Sequence, residues 1–126
     1  MSHLALAVRD EEPSRDFYET YFGFGGTPAE RMSDGVLMLH DGKGFALALK
    51  ETDESISLPA FFHFGFGGAE SPGEVRALAD RLRRDGVPIV EEWQEADYVS
   101  VKCRDPDGYV VELAWEPSSD AALNLS

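Results

Sequence analysis

HFGFGG, residues 63–68, restates HLALAV, residues 3–8: a histidine opens each short apolar run, and the two histidines lie 60 positions apart. Each run leads into a proline-marked helix start. In the first half the predicted helix is EPSRDFYETYFG (12–23), with Phe17, Tyr18, Tyr21 and Phe22 on one side. In the second it is SPGEVRALADRLRRDG (71–86), where Val75, Leu78 and Leu82 form the apolar stripe. Ser71 and Glu74 have capping-box spacing with Pro72 at the first helical position. Gly23 and Gly86 are placed to stop the two helices.

Short strand-like runs follow each helix. The first half offers GVLMLH (35–40), a tight turn at Asp41-Gly42, then GFALALK (44–50). The second offers VPIVEEW (87–93), DYVSVKC (97–103), a turn at DPDG (105–108) and YVVELAW (109–115). Asp-Gly and Pro-Asp-Gly between apolar runs are hairpin signals. The chain therefore reads as β-α-β-β-β written twice, an α+β fold with a linker near ETDESISLP (51–59). A period near 60 is too long for a solenoid. We expect one domain over 1–126: module one at about 1–52, module two at about 60–116, and a tail at 117–126 without a usable motif.

Composition narrows the function classes. The 126 residues include 43% hydrophobic side chains, enough for a packed core. The net charge of -13 opposes binding to nucleic acid or anionic membranes, which recruit basic patches. Arg81, Arg83 and Arg84, the densest basic cluster, read as the solvent face of a helix. No apolar run approaches membrane-spanning length. The start, MSHLALAVRDEEP, lacks a basic region and does not read as a signal peptide. Cys103 is the one cysteine, so no intrachain disulfide forms, and a reducing cytoplasmic setting is the expectation.

A histidine on an apolar strand is ordinarily a core residue. The repeat changes that reading for His63, because it pairs His63 with His3. It also aligns GFALALK with GYVVELAW, which contains Glu112 between Val111 and Leu113. A carboxylate among such neighbours needs water, a charge partner or a metal. Two imidazoles and a carboxylate on three strands are a standard set for a divalent ion. Ala5, Ala7, Ala46, Ala48, Gly65 and Gly67 alternate beside these positions and leave room for a cavity or for the close approach of a helix.

HLALAVRD with SRDFYETYFGF, then HFGF, the second helix and VKCRDPDGYVVELAW together resemble the vicinal oxygen chelate superfamily. This is the group of glyoxalase I, bleomycin resistance proteins and extradiol dioxygenases. The resemblance spans about residues 3–116. It implies paired βαβββ modules whose curved sheets enclose a cavity, and homodimers that sometimes exchange modules. It implies metal ligands on the first and last strands of each module, which here are His3, Ala48, His63 and Glu112. Alanine cannot ligate, so Ala48 argues against glyoxalase I activity. The remaining His3, His63 and Glu112 resemble the triad of extradiol dioxygenases and the set of fosfomycin-modifying thiol transferases. The latter carry Thr two residues after the first His, where this chain has Ala5. The implied cofactor is a divalent ion such as Fe, Mn, Zn, Ni or Co, and the implied partner is a small oxygenated substrate.

Tyr98, Lys102 and Glu95 are the polar candidates for a general base, each also readable as a surface residue. His40 reads as a surface turn residue beside Asp41-Gly42. Trp93 and Trp115 suit an aromatic ligand, with core packing as their ordinary role. The competing function class is a metal-free, bleomycin-resistance-like protein that sequesters a cationic ligand, which the acidic charge and the tryptophans suit.

Overall fold

The computed structural model describes residues 2–117, so the expected tail lies, from residue 118 on, outside the described residues. The chain forms two compact units, one running to Pro59 and the other beginning at Ala60.

The first unit contains β1 (His3–Val8), α1 (Glu11–Tyr21), β2 (Glu30–Arg31), β3 (Leu37–His40) and β4 (Ala46–Glu51). Its sheet runs β1-β4-β3-β2, with β1 parallel to β4 and the other pairs antiparallel. Strand alternation sends Leu6, Val8, Leu37, Leu39, Leu47 and Leu49 to one face, where all are buried. The helix lays Phe17 and Tyr18 into the same core. Asp10 starts that helix by accepting a hydrogen bond from the Glu12 amide, at 3.1 Å. The opposite face carries His3, Ala5, Met38, Ala46 and Ala48. Strand β2 has no counterpart in the sequence reading, since two polar residues make no periodic pattern.

The second unit contains α2 (Pro72–Arg84), β5 (Ile89–Glu95), β6 (Tyr98–Arg104) and β7 (Val110–Trp115) in a sheet ordered β5-β6-β7. Helix α2 buries Val75, Leu78, Ala79 and Leu82, and the sheet buries Val99, Val101, Cys103 and Val111. Its cap differs in one detail from the expected box. Ser71 accepts from the Glu74 amide at 3.2 Å, but the Glu74 carboxylate reaches back to the Glu70 amide, at 2.8 Å. Both helix-stopping glycines, Gly23 and Gly86, hold positive φ, at 85° and 75°.

HFGFGG does not form the expected strand. Phe64 alone makes a parallel bridge, to Val111. Two backbone bonds carry it: the Phe64 amide to the Val110 carbonyl at 3.2 Å, and the Glu112 amide to the Phe64 carbonyl at 2.8 Å. Gly67, at φ 94°, takes the chain out of the extended region three residues later. The repeat nevertheless survives in the register. His3 and Ala5 face Ala46 and Ala48 in the first unit, and His63 and Gly65 flank the bridge beside Val110 and Glu112 in the second.

Gly65 makes the approach to β7 possible. A Cβ at that position would lie 2.6 Å from the Glu112 carbonyl oxygen, so backbone has to shift. Gly65→Ala is therefore expected to destabilise the protein by about 1–3 kcal/mol in urea unfolding; an unchanged midpoint would contradict the close packing. Burial, with a smaller contribution from the Asp105 charge, pushes the Cys103 thiol up to about 12. The unfolded chain ionises this thiol from about pH 8.5. Its burial thus stabilises the fold below that pH, and the contribution is lost as pH rises toward the folded value. Cys103 should resist a disulfide reagent at pH 8 until denaturant is added; prompt labelling of the native protein would contradict this.

Candidate functional site

In the first unit the face opposite the core is hollow. Its small side chains, Ala5, Ala46 and Ala48, leave a cavity of about 560 Å³ that His3, Met32 and Met38 also line. His3 is exposed, and its Nδ1 lies 3.2 Å from the Ser2 hydroxyl. His40 ends β3 beside the Asp41-Gly42 turn, and its Nε2 lies 3.1 Å from a Glu30 carboxylate oxygen.

The second unit brings His63 and Glu112 together. His63 Nε2 lies 3.6 Å from Glu112 Oε1, and both side chains are largely covered. The imidazole is aimed by its other nitrogen, because Nδ1 lies 2.8 Å from the Phe61 carbonyl. A carbonyl only accepts, so Nδ1 carries the proton and donates. In the neutral ring Nε2 is then a bare lone pair pointing at a carboxylate. Two electron-pair donors facing each other are stable only with a proton or a cation between them. Imidazole nitrogen and carboxylate oxygen are the donor types that hold borderline divalent ions, and a carbonyl behind the imidazole is the usual outer support.

Glu112 is held as well. The Tyr98 hydroxyl donates to Glu112 Oε2 at 2.8 Å, which leaves Oε1 to face His63. Burial first, then the hydrogen bond to Glu112, push the Tyr98 phenol above its ordinary range. Tyr98 is thus a fixed donor rather than a ready base. Among the described residues no group of three or more His, Cys, Asp or Glu is arranged to hold a metal.

Lys102 lies beside Glu112 in the β6–β7 register and is 16% exposed. Its ammonium pairs with Glu91 Oε1 at 2.9 Å, and the Trp93 indole donates to the same oxygen at 2.6 Å. The hydrogen bond from Lys102, followed by that from Trp93, holds the Glu91 carboxyl below the usual range. Lys102 is therefore not a surface residue. Glu95 is exposed at the end of β5, where it pairs in register with Tyr98. Trp93 is 46% exposed, which overturns the core-packing expectation for it. Trp115 ends β7 and is half-buried.

The Tyr98 and Glu91 contacts escape a sequence reading. The phenol reaches Glu112 although Lys102 is the direct cross-strand neighbour. Glu91 faces Lys102 only because a bulge between Ile89 and Glu91 shifts the register of β5. Both ends of the DPDG hairpin were readable, so the Tyr98 contact had a signal in hairpin counting. The bulge had none.

With this geometry in hand, the comparisons with known proteins define the class. The family model of the Glyoxalase/Bleomycin resistance protein/Dioxygenase superfamily matches residues 1–113, and the chain belongs to that superfamily. Among solved structures it is similar to a possible glyoxalase from Bacillus cereus, with 29% identity, TM-score 0.73 and coverage of 90% of this chain and 96% of that one. A glyoxylase/bleomycin resistance protein/dioxygenase domain from Frankia sp. has the same fold at 21% identity, TM-score 0.74 and coverage of 93% and 97%. So does a mutant of the fosfomycin resistance protein FosX from Listeria monocytogenes, complexed with Mn(II) and 1S,2S-dihydroxypropylphosphonic acid. There the identity is 20%, the TM-score 0.74 and the coverage 100% and 97%. No curated protein matches the chain. Among the described residues no helix is long and apolar enough to cross a membrane.

Tyr98→Phe should cost about 1 kcal/mol of stability, the ordinary worth of one such hydrogen bond. Glu112→Gln should bring the Tyr98 phenol down toward its usual range, because the charge that opposes tyrosinate is gone. A pH titration of the Tyr98 ring by NMR reads this directly. An unmoved titration would show that the contact to Glu112 is absent in solution.

Proposed function

We propose that this protein is a metal-dependent enzyme of the superfamily, acting on a small oxygenated substrate through His3, His63 and Glu112. The observation that carries the reading is the opposed pair, His63 Nε2 and Glu112 Oε1, 3.6 Å apart and each aimed by a second hydrogen bond. The donor set fits a divalent ion, and the family resemblance supplies His3 as the third ligand. The fold-mate that holds Mn(II) supports the same direction. An ion held there supplies Lewis acidity to a substrate that presents two neighbouring oxygens.

The chain's own residues have separable tasks. The Phe61 carbonyl holds the His63 tautomer. Tyr98 keeps Glu112 from turning both oxygens inward, and its raised phenol keeps the proton on the hydroxyl near neutral pH. Lys102 and Glu91 neutralise each other, so neither serves as base while the pair is closed. Ala48 contributes no ligand, so the site offers at most three protein donors from these positions and leaves the others to substrate or water. The reading includes a homodimer, as the resemblance implies, in the reducing cytoplasmic setting expected of a chain with one cysteine.

The acidic charge of the chain favours the metal-free cation-binding alternative. Elemental analysis of purified protein separates the two. The enzyme reading predicts about one metal ion per chain, lost in His63→Ala and in Glu112→Ala while both variants stay folded. Absence of bound metal after anaerobic reconstitution with Fe(II), Mn(II) and Zn(II) would overturn it. Tight optical titration by a cationic glycopeptide would then support the alternative.

A further inference from the structure

We propose that the cavity in the unit beginning at Ala60 binds a small aromatic anion, in the simplest case an aryl carboxylate. As a statement about substrate this rests on the metal reading, because His63 lines the same cavity. As a statement about binding it rests only on the cavity's own residues.

The cavity measures about 390 Å³. Phe61, Phe62, Val90 and Trp93 border it, and all four are exposed large apolar side chains. Phe61 is 84% exposed, a costly placement for a phenyl ring that nothing covers. Apolar side chains gathered in one concavity mark a ligand surface rather than scattered surface residues. Rings give flat walls, which select a flat ligand.

Charge selects the sign. Acids outnumber bases 24 to 11 in the chain, yet this cavity has Lys102 and Arg104 against Glu91 alone. Glu91 is already engaged, since one of its oxygens takes both the Lys102 ammonium and the Trp93 indole. That arrangement locks Trp93 into the wall and fixes Lys102 at its rim. Lys102 spends one N–H on Glu91, and Arg104 spends one on the Gly108 carbonyl, at 3.1 Å. An ammonium has three donors and a guanidinium five. The remaining donors suit a carboxylate, and charge-assisted bonds of this kind are the strong ones. Lys102, being mostly covered, is less screened by salt than a surface lysine.

The test uses metal-free full-length protein and 1-naphthoate, following the Trp93 indole N–H resonance by NMR. 1-Naphthylmethylamine and 1-naphthamide are the cationic and neutral controls. The proposal predicts that naphthoate shifts the Trp93 signal and binds at least about tenfold more tightly than the amine. Lys102→Gln and Arg104→Gln should each weaken naphthoate by about tenfold and leave naphthamide unchanged. Equal or tighter binding of the amine would overturn it, as would indifference to both substitutions. Loss of a dimer in Phe61→Ser, with no naphthoate shift in the parent protein, would show instead that a second copy covers the cavity. The metal reading fails independently. Naphthoate binding retained in a protein that takes up no metal leaves this site standing alone, and metal uptake without naphthoate binding rejects this site alone.

Discussion

The contact on which the candidate site depends is the close approach of the Phe64 backbone to β7. One parallel bridge with its two backbone hydrogen bonds at Phe64, and a third from the Ala69 amide to the Ala114 carbonyl, hold a glycine-rich segment against a strand. Gly65 permits the approach because any Cβ there would strike the Glu112 carbonyl. The consequence is chemical. His63 comes within 3.6 Å of Glu112, and the Phe61 carbonyl behind it turns Nε2 toward the carboxylate. Burying two such groups side by side is unfavourable without a proton or a cation between them. The packing therefore creates an electrostatic demand that a proton or a cation satisfies.

The two halves of the repeat spend the same geometry differently. Positions that hold Ala48 and Met38 in the first unit are occupied by Glu112 and Lys102 in the second, as the strand registers align. One sheet face is accordingly an alanine-lined hollow. The other is a polar array in which Tyr98, Glu112, His63, Lys102, Glu91 and Trp93 each have a partner. Duplicated modules can keep one core pattern while diverging on the opposite face, because only the core face is held by packing. Leu6, Val8, Leu47 and Leu49 against Val99, Val101, Cys103 and Val111 show the retained side.

Much of this was legible in the chain. The 60-residue spacing of His3 and His63, the Ser71 cap and the DPDG turn located, among the described residues, both helices and six of the seven strands within a few residues. The His63–Glu112 pair followed from aligning the halves. Other features were not legible. Strand β2 is two polar residues. The expected strand at 63–68 is reduced to a bridge at Phe64, and Gly67 leaves the extended region. Glu91 reaches Lys102 through a bulge that leaves no mark on hydrophobic alternation. Trp93 read as core, yet its indole is held outward by Glu91. Sequence periodicity reports which face is buried; it says little about how polar groups on the other face choose partners.

The most direct test of the account is the tautomer of His63, read from long-range proton–nitrogen NMR correlations of the imidazole before and after addition of Zn(II). The account predicts a proton on Nδ1 and a bare Nε2 in the neutral ring, with the Nε2 resonance alone shifting strongly when zinc is added. A neutral ring protonated on Nε2, or one whose nitrogens ignore zinc, would mean that His63 and Glu112 form a simple hydrogen-bonded pair, and the metal-site account would fall.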